Sequence, residues 1–175
     1  MRRQAFVLVA ACLMLGVAQA QIIAQSQAAA VARSGKTASG WKCAAPSPAH
    51  AVPVGDSPNH MYVVQQTKCT ATKGEIGGVK EQEGTATEFA DVVGDKITGH
   101  GMFVETLANG DKIHVTYTFE GTSKDKVFQM GGNKWTFVSG TGMMKGAQGS
   151  GTCKAKGAAD GGIDFECAGT YTLAK

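Results

Sequence analysis

From residue 60 to residue 173 the chain never sustains a helical period. Apolar and polar residues alternate in short runs instead, broken at close intervals by Gly, Asn, Asp and Lys. Side chains alternate faces along a strand, so this patterning restricts the chain to an antiparallel sandwich or barrel. The expected strands run from Met61 to Thr72, Thr85 to Val93, Lys96 to Thr106, Lys112 to Gly121, Lys134 to Ser139, Gly149 to Lys156 and Ile163 to Leu173. One short helical turn is expected within Thr141 to Gln148. Ahead of the strands, residues 44 to 60 hold all four prolines and read as an irregular connection that follows a Trp41 to Cys43 segment.

Two hairpins fix a register. Asn109-Gly110 suits a two-residue type I′ turn, which sets Thr106 opposite Ile113, Val104 opposite Val115, Met102 opposite Tyr117 and His100 opposite Phe119. That face is apolar and reads as the buried one. Glu105 opposite His114 and Phe103 opposite Thr116 then lie outside. In the second hairpin, a turn centred on Asp160 brings Lys156 to Asp164 and Lys154 to Glu166, two opposite-charge pairs on one face. The same register sets Cys153 opposite Cys167 on the apolar face, with Ile163, Phe165, Tyr171 and Leu173. A Cys153–Cys167 disulfide is expected, and by elimination Cys43 pairs with Cys69, although four cysteines allow three connectivities.

The N-terminus speaks to compartment. Met1-Arg2-Arg3-Gln4 is basic, Ala5 to Val17 is almost wholly apolar, and Ala18-Gln19-Ala20 fits a secretory cleavage site. Residues 1–20 are expected to be a signal peptide cleaved after Ala20, 21–40 a flexible leader and 41–175 a single barrel domain. A competing lipoprotein reading would make Cys12 of Val9-Ala10-Ala11-Cys12 the lipidated residue, but its apolar segment is very short. No later stretch is long and apolar enough to span a bilayer as a helix. Cleavage removes Arg2 and Arg3 and leaves 15 basic against 14 acidic residues, a net +1. That balance, without a basic cluster, argues against nucleic acid as a partner. Four cysteines in an exported chain favour disulfides over metal ligation, so no metal and no cofactor is expected.

Between two of the strands lies Ser139-Gly-Thr-Gly-Met-Met-Lys-Gly-Ala-Gln-Gly-Ser-Gly151. It is no phosphate cradle, because Lys145 stands where a third glycine would be and no Gly-Lys-Ser/Thr follows. Ser139-Gly140-Thr141-Gly142 followed by Gly146-Ala147-Gln148-Gly149 resembles the Gly-Gly-Thr-Gly-x-Phe-x-x-Ala-x-Gly signature of the allene oxide cyclase and dirigent-like β-barrels. Asn109-Gly110-Asp111 and the tryptophan strand Trp135-Thr136-Phe137 extend the resemblance over roughly residues 60 to 173. The chain departs from the signature at Ser139, in place of glycine, and at Met144, in place of the aromatic. The resemblance implies an all-β fold, a single antiparallel barrel of about eight strands with an apolar interior. It also implies a homo-oligomer, since plant members assemble as trimers. No catalytic residue of the family can be matched to this chain.

The function expected is binding of a small apolar molecule inside the barrel, with isomerase- or cyclase-like activity left open. In the hairpin register the lining comprises His100, Met102, Val104, Val115, Tyr117 and Phe119, with His100 and Tyr117 as the polar contacts and the candidate catalytic pair. The bland reading of His100 is a structural histidine near a barrel mouth. His50 and His60 lack ligand spacing and read as loop residues, and Met143-Met144 as a cover over the barrel end. The alternative is a non-catalytic envelope or inhibitor-like protein with a side-chain-filled barrel. Interior volume separates the two.

Overall fold

The computed structural model describes residues 33–174, so the expected signal peptide, its cleavage site, Cys12 and most of the leader lie outside the described residues. Those residues form ten strands: β1 (Arg33–Cys43), β2 (Ala49–Pro53), β3 (His60–Lys73), β4 (Glu75–Ile76), β5 (Val79–Val93), β6 (Lys96–Leu107), β7 (Lys112–Lys124), β8 (Val127–Gly140), β9 (Gln148–Gly157) and β10 (Ile163–Leu173). A single 3₁₀ turn, Gly142–Met144, falls where the helical turn was expected. From β5 to β10 each strand pairs with the next, β10 pairs with β1, β1 with β3, and β3 returns to β5. Eight antiparallel strands thus close a barrel, with β2 and β4 as short additions on β3 and β5.

The leader is shorter than expected at its C-terminal end, because Arg33–Cys43 is a barrel strand paired along its whole length with β10. Its inward residues include Thr37 and Ser39, both buried, so the alternation that betrays other strands is missing here. Backbone pairing between β10 and β3 supplies what hydrophobicity does not. The proline-rich connection also contains a strand, β2, which is exposed throughout and occupies a sheet edge, where proline is tolerated.

The two ends of the barrel differ. At one end Ile76, Leu107, Ile113, Met144 and Leu173 are at most 1% exposed and seal the interior. The glycine block holds this seal in place. Gly142 takes φ +51°, where a Cβ would collide with the Asp111 carboxylate. Asp111 Oδ2 accepts from the Met143 amide at 3.0 Å, and the Lys112 amide donates to Thr141 Oγ1 at 2.8 Å. The Asn109-Gly110 hairpin and the glycine block are therefore one unit, with Met144 buried beneath it and Met143 exposed.

The second hairpin has the expected register: Lys156 opposite Asp164, Lys154 opposite Glu166 and Cys153 opposite Cys167. Glu166 makes its close ion pair with Lys73 of β3, at 2.7 Å. Disulfides join Cys153 to Cys167 and Cys43 to Cys69.

The first hairpin differs by one residue. Leu107 and Asp111 close a three-residue loop, with the Gly110 amide bonded to the Leu107 carbonyl and Gly110 at φ +84°. This is the longer of the two common hairpin loops that a glycine in the left-handed region supports. Phe103 consequently faces Val115, Glu105 faces Ile113 and Val104 faces His114. A one-residue shift moves every side chain of β6 to the opposite face. His100, Met102 and Val104 therefore point out of the barrel, while Phe103 and Glu105 point in. The inward facing of Ile113, Val115, Tyr117 and Phe119 on β7 is unaffected.

Candidate functional site

Below the open end the barrel contains a cavity of about 720 Å³. Its mouth is ringed by turns that share one end of the barrel: Gly94-Asp95, Asp125-Lys126 and Gly161-Gly162. Its walls are aromatic. Trp41 packs edge-on against Phe103 and Trp135 stacks on Phe137, each with ring centroids 5.0 Å apart. Glycines opposite these rings make room for them: a Cβ on Gly151 or Gly169 would strike the Trp135 indole, and one on Gly84 the Phe103 ring. Both disulfides also line the cavity.

The polar groups inside are carboxyls and a phenol. Glu105 is 4% and Glu81 9% exposed, and both line the cavity toward its sealed end. Glu81 owes its inward direction to a register shift between Glu81 and Glu83, which puts Gln82 and Glu83 outward in succession. Ser39 Oγ donates to Glu81 Oε1 at 2.7 Å, and Thr37 Oγ1 lies 3.3 Å from Ser39 Oγ. Higher on the wall, Glu88 accepts from Gln65 Nε2 at 2.7 Å and from the Tyr117 hydroxyl at 3.1 Å.

Burial disfavours the charged form of each acid. Desolvation, and then the neighbouring Glu81 charge, push Glu105 up to about 9. Desolvation raises Glu81 to about 7 against the opposing hydrogen bond from Ser39. Burial thus holds Glu105 in its protonated form at neutral pH. Glu88 is raised by desolvation, less so because Gln65 and Tyr117 donate to it. Tyr117 is raised by burial and by the Glu88 charge, which keeps it a hydrogen-bond donor.

Four buried side-chain atoms among the described residues have no hydrogen-bond partner: Glu81 Oε2, Glu105 Oε1, Asn133 Oδ1 and Trp135 Nε1. All four belong to residues that line this cavity.

Of the six residues expected to form the lining, Val115, Tyr117 and Phe119 line the cavity, and His100, Met102 and Val104 do not. The expected meeting of His100 with Tyr117 is absent, because the hairpin loop is one residue longer. His100 instead lies on the outer surface against Phe89, at 5.6 Å between ring centroids. His114 is outside, as expected, but bonds Ser139 Oγ at 2.6 Å, since Glu105 is within. His60 sits between Asp56 and Asp91, at 2.7 and 2.8 Å, which favours its charged form although partial desolvation opposes it. Among the described residues no histidine lines the cavity. Sequence reasoning missed Glu81, Glu88 and Glu105. The three-residue alternative for the Asn109-Gly110 loop would have revealed Glu105; no local signal marks the irregularity that turns Glu81 inward.

No protein-family model matches the chain, and no curated protein matches it. Among solved structures it is similar to the pterocarpan synthase dirigent proteins GePTS1 and PsPTS1, each at 14% identity and a TM-score of 0.47. The first similarity covers 88% of this chain and 99% of GePTS1, the second 82% of this chain and 97% of PsPTS1. These are likenesses of barrel fold.

Proposed function

We propose that the protein is an exported binding barrel that holds a small, largely apolar molecule in its cup. The observation that carries this reading is the open cavity inside the barrel, walled by Trp41, Phe103, Trp135 and Phe137. The volume of about 720 Å³ falls within the range of small-molecule pockets, and the tryptophan and phenylalanine walls suit an apolar body. The open interior beneath the mouth favours this reading over the alternative of a side-chain-filled barrel acting through its loops.

An isomerase- or cyclase-like conversion would use the same cup. The walls would hold a flexible substrate in one conformer, and the proton that burial keeps on Glu105 would serve as the acid. Export is supported by the two disulfides, which belong to an oxidising compartment. Among the described residues no helix is long and apolar enough to cross a membrane. Assembly into a homo-oligomer would use the outer face of β3, β5 and β6, where Tyr62, Val64 and Met102 are 42%, 51% and 39% exposed.

Native mass spectrometry of the protein purified from its own host tests the reading and reports the oligomer mass. The expected result is a small-molecule adduct that is lost on denaturation and absent from Ala86→Phe, which narrows the cup. An adduct-free mass, with no uptake of the neutral probe N-phenyl-1-naphthylamine, would sink it.

A further inference from the structure

We infer that the molecule held in the cup carries a basic amine, with its ammonium seated against Glu81 and Glu105 and its apolar body among Trp41, Phe103 and Trp135. This rests on the cavity reading above and adds the chemistry of the ligand's polar end.

The first argument is charge. Three carboxyls lie inside the cavity (Glu81, Glu88 and Glu105) with no cationic side chain beside them, while Asp95, Glu120 and Asp125 are exposed toward the mouth, as is Lys126. The asymmetry is local, because lysines and arginines outnumber acids over the full sequence, 17 to 14. An interior lined so unequally attracts cations and repels a carboxylate such as a fatty acid.

The second argument is hydrogen-bond supply. Both oxygens of Glu88 are taken, one by Gln65 and one by Tyr117. Glu105 Oε1 is buried without a partner on a residue that lines the cavity, whereas Glu81 Oε2 packs against Gly74. An ammonium has three donors and no acceptor, so it can donate to a cavity-lining carboxyl and neutralise any charge there. An alcohol offers one donor and leaves that charge in place.

The third argument is the wall. Indole and phenyl rings line the same cavity as the carboxyls, and an aromatic wall favours a cation over a neutral group of the same shape.

Three probes that share a naphthyl body separate the possibilities: 2-(1-naphthyl)ethylamine, 2-(1-naphthyl)ethanol and 1-naphthylacetate, titrated calorimetrically into the protein at pH 7. The amine is expected to bind at least about tenfold more tightly than the alcohol, a difference of about 1.4 kcal/mol, with the acetate weakest. Glu105→Gln, and Glu81→Gln with Glu105→Gln, should abolish the amine's advantage over the alcohol. Equal binding of amine and alcohol, tighter binding of the acetate, or a preference that survives both substitutions would overturn the inference and leave the cavity reading intact. Failure of all three probes to bind would overturn both. The comparison of probes on the unsubstituted protein stands even if a variant does not fold.

Discussion

Glu105 shows how one backbone detail decides chemistry. Its carboxyl is buried between an apolar wall and a second carboxyl, and the protonated form is favoured up to about pH 9. In the unfolded chain a glutamate gives up its proton near pH 4.5. Folding therefore favours the proton-bound state. The stability this contributes is complete below about pH 4.5 and is lost as pH rises through about 7 for Glu81 and about 9 for Glu105. His60, favoured in its charged form by Asp56 and Asp91, contributes in the same direction from the protein's surface. Thermal unfolding should show Tm falling from pH 5 to pH 9, with Glu105→Gln flattening the fall above pH 7. A Tm that rises over that range in the unsubstituted protein would contradict the assignment. None of this is visible in the sequence, where Glu105 alternates with apolar neighbours and reads as a solvated residue opposite His114.

Strands and hairpins were legible to the extent that independent signals agreed. In β9 and β10 a charge pattern and a cysteine pair chose the same register, and the structure has it. In β6 and β7 only the Asn109-Gly110 dipeptide spoke, and it fits a two-residue loop as well as the three-residue loop present here. One residue of loop length moved His100 outward and Glu105 inward. β1 was illegible for a different reason. Thr37 and Ser39 face inward, so no hydrophobic alternation marks the strand. The seam that β1 forms with β3 is the shortest in the barrel wall, pairing only Gly40–Cys43 with residues of Cys69–Lys73, and the Cys43–Cys69 disulfide staples it. Replacing both cysteines with serine should cost about 2–4 kcal/mol in denaturant unfolding. The cost should exceed that of removing Cys153–Cys167, because the loop closed spans 26 residues against 14. Equal midpoints for the two double variants would argue against the seam as the weak point.

Taken together, the fold was readable from the sequence and the cavity was not. Turn spacing, alternation and the glycine block indicated a closed antiparallel barrel, and the sealed end is built from two of those markers, the Asn109-Gly110 hairpin and Gly142. The open end and the acidic floor arise from register and side-chain volume summed over eight strands, which no local pattern records. Strand order carries a further consequence, for the time course of folding. β1 lies between β3 and β10, with Arg33 paired to Leu173 near the far end of the chain. Among the described strands the first in the chain waits for the last, and closing so long a loop sets the pace of acquisition of the native state. A chain ending at Ala158 should show hydrogen exchange throughout β1 as fast as in an unfolded peptide; protected β1 amides in that fragment would refute this. Until β10 joins β1 and β9, the barrel has two open edges and no finished cup.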